Sequence, residues 1–103
     1  MSVSIHTQTQ GQIAKIKLKG RFNFSAHREF RDAYTSALTD AQVKSFEIDM
    51  QDVDYIDSSA LGMLLLLKER ADAERKEIQI VRCSPVVLDV FKVANFKNLF
   101  KIS

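Results

Sequence analysis

Between Ala14 and Phe24 every second residue is apolar or glycine, and the residues between are Lys15, Lys17, Lys19, Arg21 and Asn23. A period of two sends successive side chains to opposite faces of a strand, so this strand has one dry face and one charged face. Sheets covered by helices on both sides need strands that are apolar throughout, which excludes that arrangement here. The chain must cover its sheet from one side. Ala14, Ile16, Leu18, Gly20, Phe22 and Phe24 face the cover, and both phenylalanines are assigned to the core. The cation row reads as a solvated sheet face and not as a dedicated anion surface.

The other elements follow from the same two periodicities. Val3, Ile5 and Thr7 alternate with Ser4, His6 and Gln8, giving a first strand joined to the second by a turn at Gln10-Gly11-Gln12. Ser25 is the expected N-cap of a helix whose inner face is Ala26, Phe30, Ala33, Tyr34, Ala37, Leu38 and Ala41. Phe46, Ile48 and Met50 form a third strand, with Glu47 and Asp49 turned outward to meet the lysines of the second. Gln51 to Asp57 reads as a carboxylate-rich loop leading into a helix that runs to about Arg75. Glu77 to Arg82 is a fourth strand, and Ser84-Pro85 begins a third helix with serine as N-cap and proline at the first helical position. Leu99 to Ile102 closes the sheet. The order β-β-α-β-α-β-α-β is an α/β fold with a mixed sheet, parallel after the opening hairpin, and helices packed on one face. The segments Arg21–Ser25, Asp52–Asp57 and Cys83–Pro85 should then gather along one edge of the sheet.

With 103 residues and 46% hydrophobic content, the chain fits a single domain spanning 1–103. One cysteine and two histidines exclude a disulfide framework and a structural zinc set, and the acidic segment before the second helix lacks the glycine and terminal glutamate of a calcium loop. No metal and no cofactor are expected. The longest apolar run, Ala60 to Leu67, falls short of the roughly 20 residues that span a bilayer, and the N-terminus has no basic region followed by an apolar one. The expectation is a cytoplasmic protein without membrane insertion. A net charge of +2 and the absence of an aromatic-basic motif give no indication of nucleic-acid binding. There is no Gly-x-Ser-x-Gly elbow, and His27 near a helix start reads as an exposed side chain, so no enzymatic activity is expected.

The second helix holds more than its fold requires. Ala60, Met63, Leu64, Leu67 and Ala71 form one stripe at 3.6 residues per turn, whereas Leu61 and Leu65 lie outside it and Gly62 points nearly opposite. Glycine there costs roughly 1 kcal/mol of helix stability relative to alanine and removes any side chain that would hold another surface away. Either a partner docks on Leu61, Gly62 and Leu65, or the first helix packs beside the second and widens its buried arc. Asp57 or Ser58 can cap this helix, which puts a modifiable hydroxyl where the helix dipole favours negative charge but Asp52, Asp54 and Asp57 oppose it.

At Asp57-Ser58-Ser59-Ala60-Leu61-Gly62 the chain resembles the STAS domains of the bacterial anti-sigma factor antagonist family, whose motif is Asp-Ser-Ser-Gly-Leu-Gly or a near variant. Gly20-Arg21-Phe22-Asn23 matches the family's Gly-Glu-Leu-Asp after the second strand, and Ser84-Pro85 matches its Ser-Pro before the third helix. Ala60 replaces a motif glycine and Asn23 an acidic residue, and the sequence ends at Ser103 without residues for the family's further C-terminal helix. The resemblance implies a STAS fold and a switch in which Ser58 is phosphorylated by a serine kinase that is also the anti-sigma factor and dephosphorylated by a serine phosphatase. It implies that the unphosphorylated form binds the anti-sigma factor and that phosphorylation ends the binding. The partner-binding surface it marks comprises Arg21, Phe22, Asn23, Asp57, Ser59, Ala60, Leu61, Gly62, Leu65, Ser84 and Pro85. The alternative is a constitutive STAS subunit of another complex, for example one docked to a transporter ATPase.

Overall fold

The computed structural model describes residues 3–102. Strand β1 (Ser4–Gln10) turns through Gly11, which adopts a left-handed φ of 61°, into the antiparallel β2 (Ile13–Phe22). Three parallel crossovers follow: α1 (His27–Thr39) leads to β3 (Ser45–Ile56), α2 (Ser58–Ala73) to β4 (Glu77–Val81), and α3 (Pro85–Val93) to β5 (Lys101–Ile102). The sheet order is β1-β2-β3-β4-β5, so each crossover moves the chain one strand further in the same direction. Right-handed crossovers that all advance one way leave their helices on one face. Ala14, Ile16, Leu18 and Phe22 of β2 are buried under that cover with Phe46, Ile48 and Met50 of β3 and Ile78 and Ile80 of β4. On the open face Lys15 meets Glu47 at 3.8 Å as expected, but Lys17 meets Asp52 at 3.6 Å, because Asp49 is taken by Arg82, which follows β4, instead of by a β2 lysine.

Four local expectations are corrected. The segment Gln51–Ile56 is not a loop but the second half of β3, paired with β2 from Lys19↔Asp52 to Phe22↔Ile56. Register shifts between Lys17 and Lys19 and between Gly20 and Arg21 each insert one extra β3 residue, so the inward residues run Met50, Val53, Ile56 and the period of two disappears. Gly20 takes a φ of 99° beside the second bulge, a conformation few side chains tolerate. Next, Ser25 is not the cap of α1. The strand ends at Phe22, and the Asn23 Oδ1 accepts from both the backbone N–H and the hydroxyl of Ser25 to start a 3-10 turn, Phe24–Ala26, before α1 begins at His27. That turn carries Phe24 out of the strand, and its ring is 69% exposed instead of buried.

Finally, Ser84 occupies the N-cap position of α3 without capping it. Its hydroxyl donates instead to the Val53 carbonyl at 2.7 Å, on the part of β3 that runs beyond the five residues paired with β4. The side chain thus satisfies an edge carbonyl that has lost its strand neighbour, and it anchors α3 against β3.

At the opposite end of the parallel strands, Lys76 is buried and its ammonium donates to the carbonyls of Asp40, at 2.9 Å, and Val43. One side chain therefore ties the connection before β3 to the connection before β4. Aromatic clusters fill the two flanks of the core: Phe22 with Phe30 and Tyr34 of α1 in tilted and edge-on contacts, and Phe91 of α3 stacked with Phe96 and Phe100.

Candidate functional site at the start of the second helix

The C-terminal ends of β2, β3 and β4 lie along one edge of the sheet, and there the chain delivers Arg21 to Ser25, Asp54 to Ser59 and Cys83 to Pro85. Asp57 is extended, with φ −124° and ψ −178°, and its carboxylate accepts from the Ala60 N–H at 3.0 Å. Asp57, and not Ser58, is therefore the N-cap. Relieved of that role, Ser58 is the first residue of α2 and is exposed, whereas Ser59 is half-buried. The two adjacent hydroxyls are thus unequal in their access to another molecule.

Behind the motif, Ala60, Met63, Leu64, Leu67 and Ala71 are all buried, as their spacing predicts. The alternatives for the remaining apolar residues are divided by position. Helix α1 packs beside α2, and Leu61 is half-buried against the core. Leu65 and Leu66 stay 40% and 36% exposed, so the widened arc does not account for them. Gly62 is exposed, and a Cβ built there would meet nothing within 4 Å. Neither packing nor backbone conformation within this chain calls for a glycine at that turn.

Of the other residues marked from sequence, Arg21 is exposed with its guanidinium 4.1 Å from the centre of the Tyr55 ring, Asn23 is half-buried in its capping contacts, and Pro85 is exposed. Ser84 is committed to Val53. Phe22 and Ala60 are fully buried, so they support the surface from beneath and do not belong to it. Sequence reasoning missed Phe24. Its ring stacks on His27 with centroids 5.8 Å apart, and its 3-10 turn packs against α2, so an exposed aromatic lies beside the motif. The alternation that assigned Phe24 inward extended two residues past the true strand end at Phe22.

Charge near this edge is of both signs. On the open face Asp49 accepts from the Arg82 Nε at 2.8 Å and from the Gln51 N–H at 3.0 Å. Burial pushes its carboxyl up, but the Gln51 and Arg82 hydrogen bonds outweigh that and hold it below the usual carboxylate range. Cys83, which follows Arg82, has its thiol pushed up to about 11 by burial and then by the charge of Asp49. It is protonated at neutral pH and a poor nucleophile.

The chain matches the family described as "Mlab, STAS domain" over residues 5–101. It is 42% identical over 104 residues to a STAS-domain-containing protein of Pseudomonas aeruginosa, covering all of both chains. It is 22% identical over 103 residues to an anti-sigma-B factor antagonist of Staphylococcus aureus, covering 100% of this chain and 94% of that one. Among solved structures, the anti-sigma factor antagonist SpoIIAA in its unphosphorylated form superimposes with a TM-score of 0.82 at 18% identity, over 97% of this chain and 88% of that one. The STAS domain of a SulP transporter from Vibrio cholerae superimposes with a TM-score of 0.72 at 15% identity, over 92% and 75%. The chain belongs to the STAS-domain family. No helix among the described residues is long and apolar enough to cross a membrane.

Proposed function

We propose that the chain is a non-enzymatic, phosphorylation-controlled binding switch, an anti-sigma factor antagonist with Ser58 as the phosphoacceptor. The observation that carries this reading is the division of labour at the helix mouth. Asp57 takes the cap and leaves Ser58 exposed beside a surface of Gly62, Leu65 and Phe24. The unphosphorylated form docks an anti-sigma factor that is also the serine kinase, and a serine phosphatase restores that form. The likeness to the Staphylococcus aureus anti-sigma-B factor antagonist supports the partner class. A phosphoryl group on Ser58 brings about −1.5 to −2 charges to a surface that already holds Asp57 and Asp54, adding repulsion and desolvation cost to docking. No refolding is needed for release.

Ser58→Asp should lose its partner and Ser58→Ala should keep it, measured by titration of the partner co-purified from cells. Equal affinity of the two variants overturns the reading. The likeness to the SulP transporter domain favours a second reading, in which the same surface docks constitutively to a transporter component. Absence of phosphate on Ser58 in protein isolated from cells, with co-purification of an ATPase, would select it.

A further inference from the structure

Strand β1 is an edge of the sheet: it pairs with β2 on one side and, among the described residues, has no strand on the other. Such edges are normally blunted by lysine, proline, a bulge or a covering segment, because their free N–H and C=O groups invite another chain. None of these devices is present in Ser4-Ile5-His6-Thr7-Gln8-Thr9-Gln10, which pairs with β2 without a register shift and is exposed at every residue but Ile5. The geometry identifies which backbone groups are free. Gln10 and Ile13 close the two-residue hairpin, and Gln12 turns its carbonyl the other way, to the N–H of Lys44 at 2.8 Å. Antiparallel bonding alternates, so Ser4, His6, Gln8 and Gln10 bond to β2, while Ile5, Thr7 and Thr9 direct their N–H and C=O groups outward.

We propose that β1 is the contact strand of a homodimer, two copies pairing antiparallel about a two-fold axis through Thr7 and joining two five-stranded sheets into one. The axis matches Thr7 with Thr7, Ile5 with Thr9 and His6 with Gln8, and the three outward-facing residues of each copy complete six backbone hydrogen bonds. No like charges are opposed on the paired strands, and threonine with threonine or with a β-branched neighbour is a favourable cross-strand pair. The lysine rows on the two β2 strands stand three strand spacings apart, about 14 Å, beyond the roughly 8 Å screening length of physiological salt. They are also paired within each copy to Glu47 and Asp52. On the helix side, the groove between β1 and α1 has the small residues Ala33, Ser36 and Ala37 of α1 facing Thr7 and Thr9. Asp40 lies at its hairpin end, so the two-fold axis sends the two copies' Asp40 carboxylates to opposite ends.

Sedimentation equilibrium of the full chain from about 1 μM to about 1 mM, the range of weak specific association, should show a reversible monomer–dimer equilibrium. Thr7→Pro removes an N–H that β2 does not use and should leave the monomer folded but unable to dimerise. Thr7→Lys should do the same by placing two ammonium groups at the axis. In a Cys83→Ser background, Thr7→Cys should cross-link on oxidation, because opposed residues about 5.5 Å apart at Cα lie within disulfide range. His6→Cys, which faces Gln8, should not. A chain that stays monomeric throughout, a dimer indifferent to Thr7→Lys, or cross-linking through residue 6 instead of residue 7 would each overturn the proposal. The cross-linking register remains decisive even if the proline variant unfolds.

Discussion

Gly62 is a residue whose cost inside the chain has no return inside the chain. The added methyl of alanine meets open space at that turn, so Gly62→Ala should raise stability by about 0.5–1 kcal/mol in urea unfolding. The same substitution should weaken partner binding, because the surface can no longer be approached as closely there. Opposite behaviour is expected one turn earlier. Asp57→Ala leaves the Ala60 N–H without its acceptor and should cost about 1 kcal/mol of stability. Asp49 supplies a pH dependence. Its folded-state carboxyl titrates below the ordinary range, burial being outweighed by the Gln51 and Arg82 hydrogen bonds, so its contribution is fully present above the unfolded pKa of about 3.9. That contribution is lost as pH falls through the lower folded value. Arg82→Met should therefore flatten the acid limb of a stability–pH profile below about pH 4 and leave the neutral region's slope unchanged.

Among the elements, β3 separates what periodicity reveals from what it conceals. Its first half was legible because Phe46, Ile48 and Met50 keep the period of two, and its second half was not, because two bulges turn that period into the three-residue spacing of Val53 and Ile56. Carboxylates between them then imitate a loop. The five-residue stripe of α2 and the three crossovers were legible for the opposite reason: an unbroken helix keeps its period over four turns. Lys76 left no local signal at all, since the carbonyls it binds lie 36 and 33 residues away in the chain and any residue type supplies a carbonyl. Lys76→Ala deprives two carbonyls of a charged donor and should cost about 1–3 kcal/mol in denaturant unfolding, with no effect on partner affinity. Ser84→Ala should cost about 1 kcal/mol by unpairing the Val53 carbonyl and loosening the start of α3.

Taken as a whole, the molecule has two unlike poles. The pole before the parallel strands is fastened by Lys76, and the pole after them exposes Ser58, Gly62, Leu65 and Phe24. The motif that marks the second pole could be read from the sequence, but its depth could not. Phe22 and Ala60 sit beneath the surface and Phe24 stands on it, a difference decided by where Asn23 ends the strand. The Lys76 tether gives this division an evolutionary consequence. Because Lys76 acts on backbone carbonyls at the opposite pole, substitutions among the exposed residues Ser58, Gly62, Leu65 and Phe24 leave that fastening untouched. A lineage carrying this domain can change the partners it recognises by drift among a few exposed residues without touching the lysine contacts at the far end.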